Sequence, residues 1–360
     1  MVSTSWALGF CLVIFRLLNA QETNVVRLLH ITDSHISLSN EAPPRSSRMH
    51  AAFARSKNRD TKESTTPAQE FARLVLRAKE MNVDLVVLGG DILNFPSNST
   101  TAWVLEQLQL AGCDFVFTAG NHDWLLEGQR SAPSYDVARL AELTSTFRPF
   151  FEQSLAGRSG CYETLGASWQ RPGLGFLYGC ATVKGLLLIF VDNSNFQIDS
   201  DQLDFTRAQL ANVSANQPVV ILLHIPLMLP GMTLPPKELC GHHQWGSATD
   251  LLWQVEDRPR WPSGNQQSTL DFRELLQTHA APKGPIVAVL SGHTHEDAAV
   301  ALVEAAEEDA CPAGDAASCG NTWTVHSENG RESPSKATSA LQYTTHTAAE
   351  GAYRLLTISS

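Results

Sequence analysis

Five apolar runs of strand length recur along the chain, and each ends in a residue able to bind a metal ion. They are LLHIT before Asp33-Ser-His35, VVLGG before Asp91, FTAG before Asn121-His122-Asp123, VVILL before His224, and AVLSG before His293-Thr-His295. Short, continuous apolar runs are the pattern of strands buried on both faces, which occur in sheets covered by helices. Residues 67–81 and 101–111 carry helical apolar spacing between the first three strands, expected at 25–32, 85–89 and 115–119. The order is therefore βαβαβ. Asp91 and Asn121 stand 30 residues apart, about one βαβ unit, so parallel neighbours with right-handed crossovers are expected. In open α/β sheets ligands collect at the carboxyl ends of strands, and these five ends would converge on one crevice.

The second half continues the alternation, with helices expected near 135–151, 199–213 and 268–278 and strands at 182–192, 218–223, 286–290 and 353–358. A second sheet begins there. Residues 39–66 are polar, hold Pro43 and Pro44, and read as a surface loop. Residues 228–264 are rich in Pro, Gly and Trp and read as an ordered insertion. Residues 304–336 are acidic, small and polar, which suggests an exposed loop pinned by a disulfide. No internal repeat is present.

Composition narrows the function. With 43% hydrophobic and 18% charged residues the chain of 360 is globular, not disordered. Its 26 Lys+Arg against 37 Asp+Glu give a net charge of -11, a field that repels phosphate backbones, so no nucleic-acid partner is expected. The N-terminus reads as a secretory signal over residues 1–20: an apolar stretch from Trp6 to Leu18, interrupted by Arg16, ends at small Ala20. A single domain over 21–360 should follow. Lacking a later apolar run of membrane-spanning length, it should have no integral membrane contact. A secreted or lumenal location, whether extracellular, vacuolar or lysosomal, fits the six cysteines outside that segment. Short loops favour Cys311 with Cys319 and Cys161 with Cys180, and elimination leaves Cys113 with Cys240. Asn98-Ser-Thr and Asn212-Val-Ser match the glycosylation acceptor pattern.

Taken singly, each polar block reads as a turn, a helix cap or a polar loop. Together they hold five of the chain's 12 His, far above their share of the composition. The donors are oxygens and imidazoles without a thiolate, a set suited to Zn, Fe or Mn and unlike Cys-rich structural zinc.

The ordered set Asp-x-His, Gly-Asp, Gly-Asn-His-Asp, His, Gly-His-Thr-His resembles the calcineurin-like metallophosphoesterase family. The resemblance implies an α/β fold, a four-layer α/β/β/α sandwich of two mixed sheets with a dinuclear metal site at one end. It places a first metal on Asp33, His35, Asp91 and His295 and a second on Asp91, Asn121, His224 and His293, with Asp91 shared. Two cations on one carboxylate lower the pKa of a bridging water and clamp an in-line phosphoryl transfer. His122 cannot easily reach the metal held by its neighbour, so its expected role is to stabilise the transition state or protonate the leaving oxygen.

One position departs from the family pattern. Many relatives carry Gly-Asp-x-x-Asp, whose second Asp orients the catalytic His; here the residue is Asn94. An amide fixes a tautomer but does not stabilise imidazolium as a carboxylate does, which leaves Asp123 as a candidate to compensate. The metal-binding Tyr of purple acid phosphatases has no counterpart beside Asp91. His242, His243 and Trp245 are candidates for either the pocket or local packing, and Arg45 and Arg48 for phosphate contact or solvated charge. The expected activity is hydrolysis of small phosphate esters, above all diesters, by a secreted enzyme. The alternatives are a broad phosphomonoesterase and a binding protein of the same fold without chemistry.

Overall fold

In a computed structural model, the structure describes residues 25–38, 65–124, 141–156, 178–214, 216–245, 264–303, 323–329, 335–337 and 339–359. The chain opens with β1 (Val25–Ile31), α1 (Pro67–Glu80), β2 (Leu85–Leu88), α2 (Asn98–Ala111) and β3 (Phe115–Phe117). Thr66 caps α1 in a reciprocal capping box with Gln69, and Pro67 occupies the first turn, where a missing N–H costs nothing. Phe71, Leu74, Val75 and Ala78 then recur on one face and are fully buried. Ser97 caps α2, and Gly112 ends it in the left-handed region at φ 67°.

A single turn of π-helix (Leu143–Phe147) leads into α3 (Arg148–Gln153), followed by β4 (Gly179–Val183), β5 (Leu186–Phe190), α4 (Ser200–Ala211) and β6 (Val219–Leu222). Further on come a 3-10 turn (Pro236–Glu238), α5 (Gln267–Thr278), β7 (Ile286–Ser291), β8 (Ala298–Ala301), β9 (Thr324–Asn329), β10 (Ser335–Ala337), β11 (Leu341–Thr344) and β12 (Arg354–Ser359). Two six-stranded mixed sheets result, ordered β10-β9-β12-β1-β2-β3 and β4-β5-β6-β7-β11-β8. Strands β1, β2 and β3 run parallel, as do β5, β6, β7 and β11.

Three apolar cores separate four layers. Alternate residues of the first sheet, among them Leu29, Ile31, Val86 and Phe117, pack under α1 and α2. Their neighbours Leu28, Val87 and Val116 meet Leu188, Val220 and Leu290 of the second sheet. The far side of that sheet, with Ile189, Ile221 and Val289, lies under Leu203 of α4 and Phe272 of α5. The register between β6 and β7 shifts at Val219 and Val220, and Val287 and Ala288 both turn inward there. This is the α/β/β/α sandwich that the sequence leads one to expect.

Four local expectations are corrected. The strand expected at 182–192 is a hairpin: Lys184 (φ 46°) and Gly185 (φ 84°) form a two-residue turn between antiparallel β4 and β5. The polar segment 304–336 is not all loop, because β9 pairs with β12 and β10 with β9 in the first sheet. Cys113 and Cys240 are free cysteines, not a pair. Cys240 is fully buried, which pushes its thiol up to about 12. Strands β8 and β11 were not anticipated. Cys180 is half of a disulfide; Cys161, Cys311 and Cys319, the signal segment, and Arg45 and Arg48 lie outside the described residues. Asn98 opens α2 and Asn212 follows α4, both exposed. Among the described residues no helix is long and apolar enough to cross a membrane.

Candidate metal centre

The loops that leave β1 and β2 are stitched together before any side chain is considered. Backbone N–H groups of Asp33, His35 and Ile36 donate to the carbonyls of Gly90, Asp91 and Ile92 at 3.0, 2.8 and 2.9 Å. In the second sheet the loops after β6 and β7 are joined likewise, Gly292 N donating to the His224 carbonyl at 2.9 Å. Five non-glycine residues here adopt the left-handed region: Asp33 (φ 54°), His35 (φ 48°), Asp91 (φ 51°), His293 (φ 70°) and His295 (φ 57°). Each such residue costs on the order of 1–2 kcal/mol, so the surrounding hydrogen bonds must hold it. All five are among the seven residues expected to bind metal.

Glycines make room for the carboxylates. A Cβ on Gly120 would stand 2.5 Å from the Asp91 nitrogen and overlap the Asp91 side chain, and one on Gly292 would overlap Thr32 and Asp33. Asp91 Oδ1 accepts the His122 N–H at 2.7 Å, and its Oδ2 lies 3.3 Å from His224 Nε2. Asp33 Oδ2 accepts from the Thr32 hydroxyl at 2.8 Å and from His293 N at 2.9 Å. Its Oδ1 faces His295 Nε2 at 3.2 Å and His35 Nε2 at 3.9 Å, and those two nitrogens approach to 3.0 Å.

The arrangement resolves into three clusters whose candidate ligand atoms all lie within 4.8 Å of one another: Asp33 with His35 and His295, Asp91 with His224 and His293, and His35 with Asp91 and His122. Asn121, next to His122 in the chain, has a buried Oδ1 without a hydrogen-bond partner, while Asp33 Oδ1 and His224 Nε2 face other residues of the clusters at 3.2 and 3.3 Å. Buried polar atoms without full partners are costly, and a nest of carboxylate oxygens and imidazoles fits a hard-to-borderline cation. Six of the seven residues expected to bind metal are thus brought together at one end of the sheets, and the seventh, Asn121, precedes His122 in the chain.

Electrostatics reflects the crowding. Burial pushes the Asp33 carboxyl up, but the hydrogen bond from His295 and the nearby His224 outweigh it and hold the group below the usual carboxylate range. Asp91 behaves likewise, burial being overcome by His224 and His122. Burial also opposes charge on His224, yet Asp91 raises it to about 10. Burial, then His122, lowers His35 to about 3, and burial lowers His122 too. Metal binds anionic carboxylates and neutral imidazoles, so an ion at Asp91 and His224 would displace the proton that Asp91 holds on His224.

Orienting contacts surround these groups. His122 Nδ1 lies 3.0 Å from Asn94 Oδ1. Asp123 does not turn to His122; its oxygens accept the N–H groups of Gly120 and Leu93, each at 2.8 Å. Burial, then Asp91, raises its carboxyl to about 8. His224 Nδ1 donates to the Gly89 carbonyl at 2.9 Å, which turns Nε2 to Asp91.

Three residues near the site escaped sequence reading. Asn193, just past β5, accepts from the N–H groups of His224 and Ile225 at 3.0 Å each and donates to the Ile225 carbonyl at 2.7 Å. It is a polar residue after an apolar run, the same signal as the five blocks. Phe196 (φ 68°) sets its ring edge-on to His293 at 5.4 Å, and Glu238 Oε2 lies 3.6 Å from His293 Nε2. Trp245, 4% exposed, backs Phe196 at 5.1 Å, whereas the buried His242 stacks on exposed His243 at 4.5 Å.

Comparison with protein families matches residues 26–297 to the model of the calcineurin-like phosphoesterases. Comparison with curated proteins finds no match. Among solved structures, a dimetal phosphatase from Danio rerio is similar at 12% identity and a TM-score of 0.45, over 92% of this chain and 91% of that one.

Proposed function

Since the chain belongs to the calcineurin-like phosphoesterase family, we propose that it is a secreted or lumenal dimetal enzyme that hydrolyses small phosphodiesters. The observation that carries this is the convergence of Asp33, His35, Asp91, His224, His293 and His295 into two adjoining clusters joined through Asp91 and His35. Asp33, His35, Asp91 and His295 would hold one ion, and Asp91, Asn121, His224 and His293 the other. Bound there, Zn, Fe or Mn ions would polarise the phosphoryl oxygens and lower the pKa of water for in-line attack. Hydrolysis forms one P–O bond to water and breaks the P–O bond to the departing alcohol, which takes up a proton. His122 would supply it: the Asn94 oxygen accepts from Nδ1–H, leaving Nε2 for the reacting groups. The nearby Asp91 and Asp33 favour the charged ring that burial opposes. Removal of residues 1–20, disulfides Cys161–Cys180 and Cys311–Cys319, and glycans on exposed Asn98 and Asn212 complete the reading, which includes neither nucleic-acid partner nor integral membrane contact.

The test compares an aryl phosphodiester with its monoester, using protein supplied with Mn or Zn and Asp91→Ala as control. Faster turnover of the diester is expected, as are two metal ions per chain in the wild type and at most one in Asp91→Ala, with activity lost. Equal activity of Asp91→Ala and wild type would overturn the mechanism.

A further inference from the structure

His293 is gripped from two sides by residues that belong to none of the five blocks. Glu238, on the 3-10 turn of the insertion that follows His224, brings Oε2 to 3.6 Å from His293 Nε2 and keeps 24% of its side chain exposed. Phe196, on the loop after β5, meets the His293 ring edge-on at 5.4 Å. Its backbone lies in the left-handed region, unusual for a bulky aromatic residue, and its N–H donates to the Asn193 carbonyl at 2.7 Å. Behind it, buried Trp245 packs at 5.1 Å and keeps the ring from retreating. The His293 side chain is 11% exposed and that of Glu238 24%, so solvent reaches His293 past these residues.

From this juxtaposition we infer that Glu238 and Phe196 form a selecting rim that favours singly charged phosphodiesters bearing a flat apolar substituent over doubly charged monoesters. The inference rests on the phosphoesterase reading above and names the residues that would set its substrate class. A carboxylate on the rim raises the energy of a second negative charge on the bound phosphate far more than that of the first alone, which is selection by repulsion. An ester group in place of that charge removes the repulsion, and the Phe196 ring offers it an aromatic surface backed by Trp245.

Three substrates with one leaving group separate the parts: 4-nitrophenyl phosphate, methyl 4-nitrophenyl phosphate and bis(4-nitrophenyl) phosphate. The wild type should prefer the diesters, and the diaryl ester over the methyl ester. In Glu238→Gln the diester-to-monoester ratio of kcat/KM should fall about 3- to 10-fold, a size set by one charge near a second across a partly solvated gap, whereas Glu238→Asp should keep it. In Phe196→Leu the diaryl-to-methyl ratio should fall, chiefly through KM. Both variants should melt near the wild type and retain its metal content. An unchanged ratio in Glu238→Gln, or one that falls equally in Glu238→Asp, overturns the charge rim; an unchanged aryl preference in Phe196→Leu overturns the ring's part. Failure of the metal-loaded wild type on all three esters would instead overturn the parent reading, and the rim with it.

Discussion

The residues that do most to shape this centre are those with no donor of their own. Gly120 lies so close to Asp91 that a methyl group would collide with both backbone and carboxylate. Gly120→Ala should therefore lower kcat/KM by about 100-fold, the scale of a misplacement near 1 Å, and reduce bound metal, as read by elemental analysis. Asn94 acts through another residue, His122. Asn94→Ala is expected to cost about 10- to 100-fold in kcat while KM and metal content hold, and Asn94→Asp should restore or exceed the wild-type rate. Sequence reading singled out the residues that cluster here because an Asp or His at the end of an apolar run is conspicuous. It could not find their backbone states: Asp33, His35, Asp91, His293 and His295 hold left-handed angles that their residue types do not announce. Nor could it find Glu238, whose approach to His293 depends on the path of an insertion with no periodic pattern.

At the level of elements, helices were the most legible because their signals are redundant. Around α4 the cap, the box and the buried face agree: Asp199 accepts the Gln202 N–H at 2.9 Å, Gln202 returns the favour to the Asp199 N–H at 3.2 Å, and Leu203 and Leu210 are buried. Asp199→Ala should cost about 0.5–2 kcal/mol, measurable by denaturant unfolding. Short strands were less legible. β8 has alternating half-buried and exposed residues over only four positions, and β11 is equally brief. Such runs take their shape from the strands they pair with, not from their own sequence. The β4–β5 hairpin was lost for another reason: Lys184-Gly185 interrupts an apolar run without the Asn-Gly or Asp-Gly that marks such turns.

The whole molecule places its polar cluster where three parallel strand ends of each sheet meet, so the same apolar layers that stabilise the sandwich also hold the two half-sites together. Stability and metal loading should be linked in consequence. Treatment with a chelator should lower the melting temperature, and adding Mn or Zn back should restore it, because an ion that binds only the folded state stabilises it by mass action. Unchanged melting on metal removal would show that the clusters bind nothing tightly.

The pairing of β1 with β12, Val25 opposite Ser359 and His30 opposite Arg354, carries a consequence for synthesis. The strand that leads to Asp33 and His35 sits in the middle of its sheet, and its neighbour on one side, β12, comes from far along the chain. Because β12 follows β1 by more than three hundred residues, β1, β2 and β3 can pair while one hydrogen-bonding edge of β1 is still bare, and that edge stays open to mispairing until β12 is made. The sheet that carries Asp33, His35 and Asp91 is thus begun early and closed late.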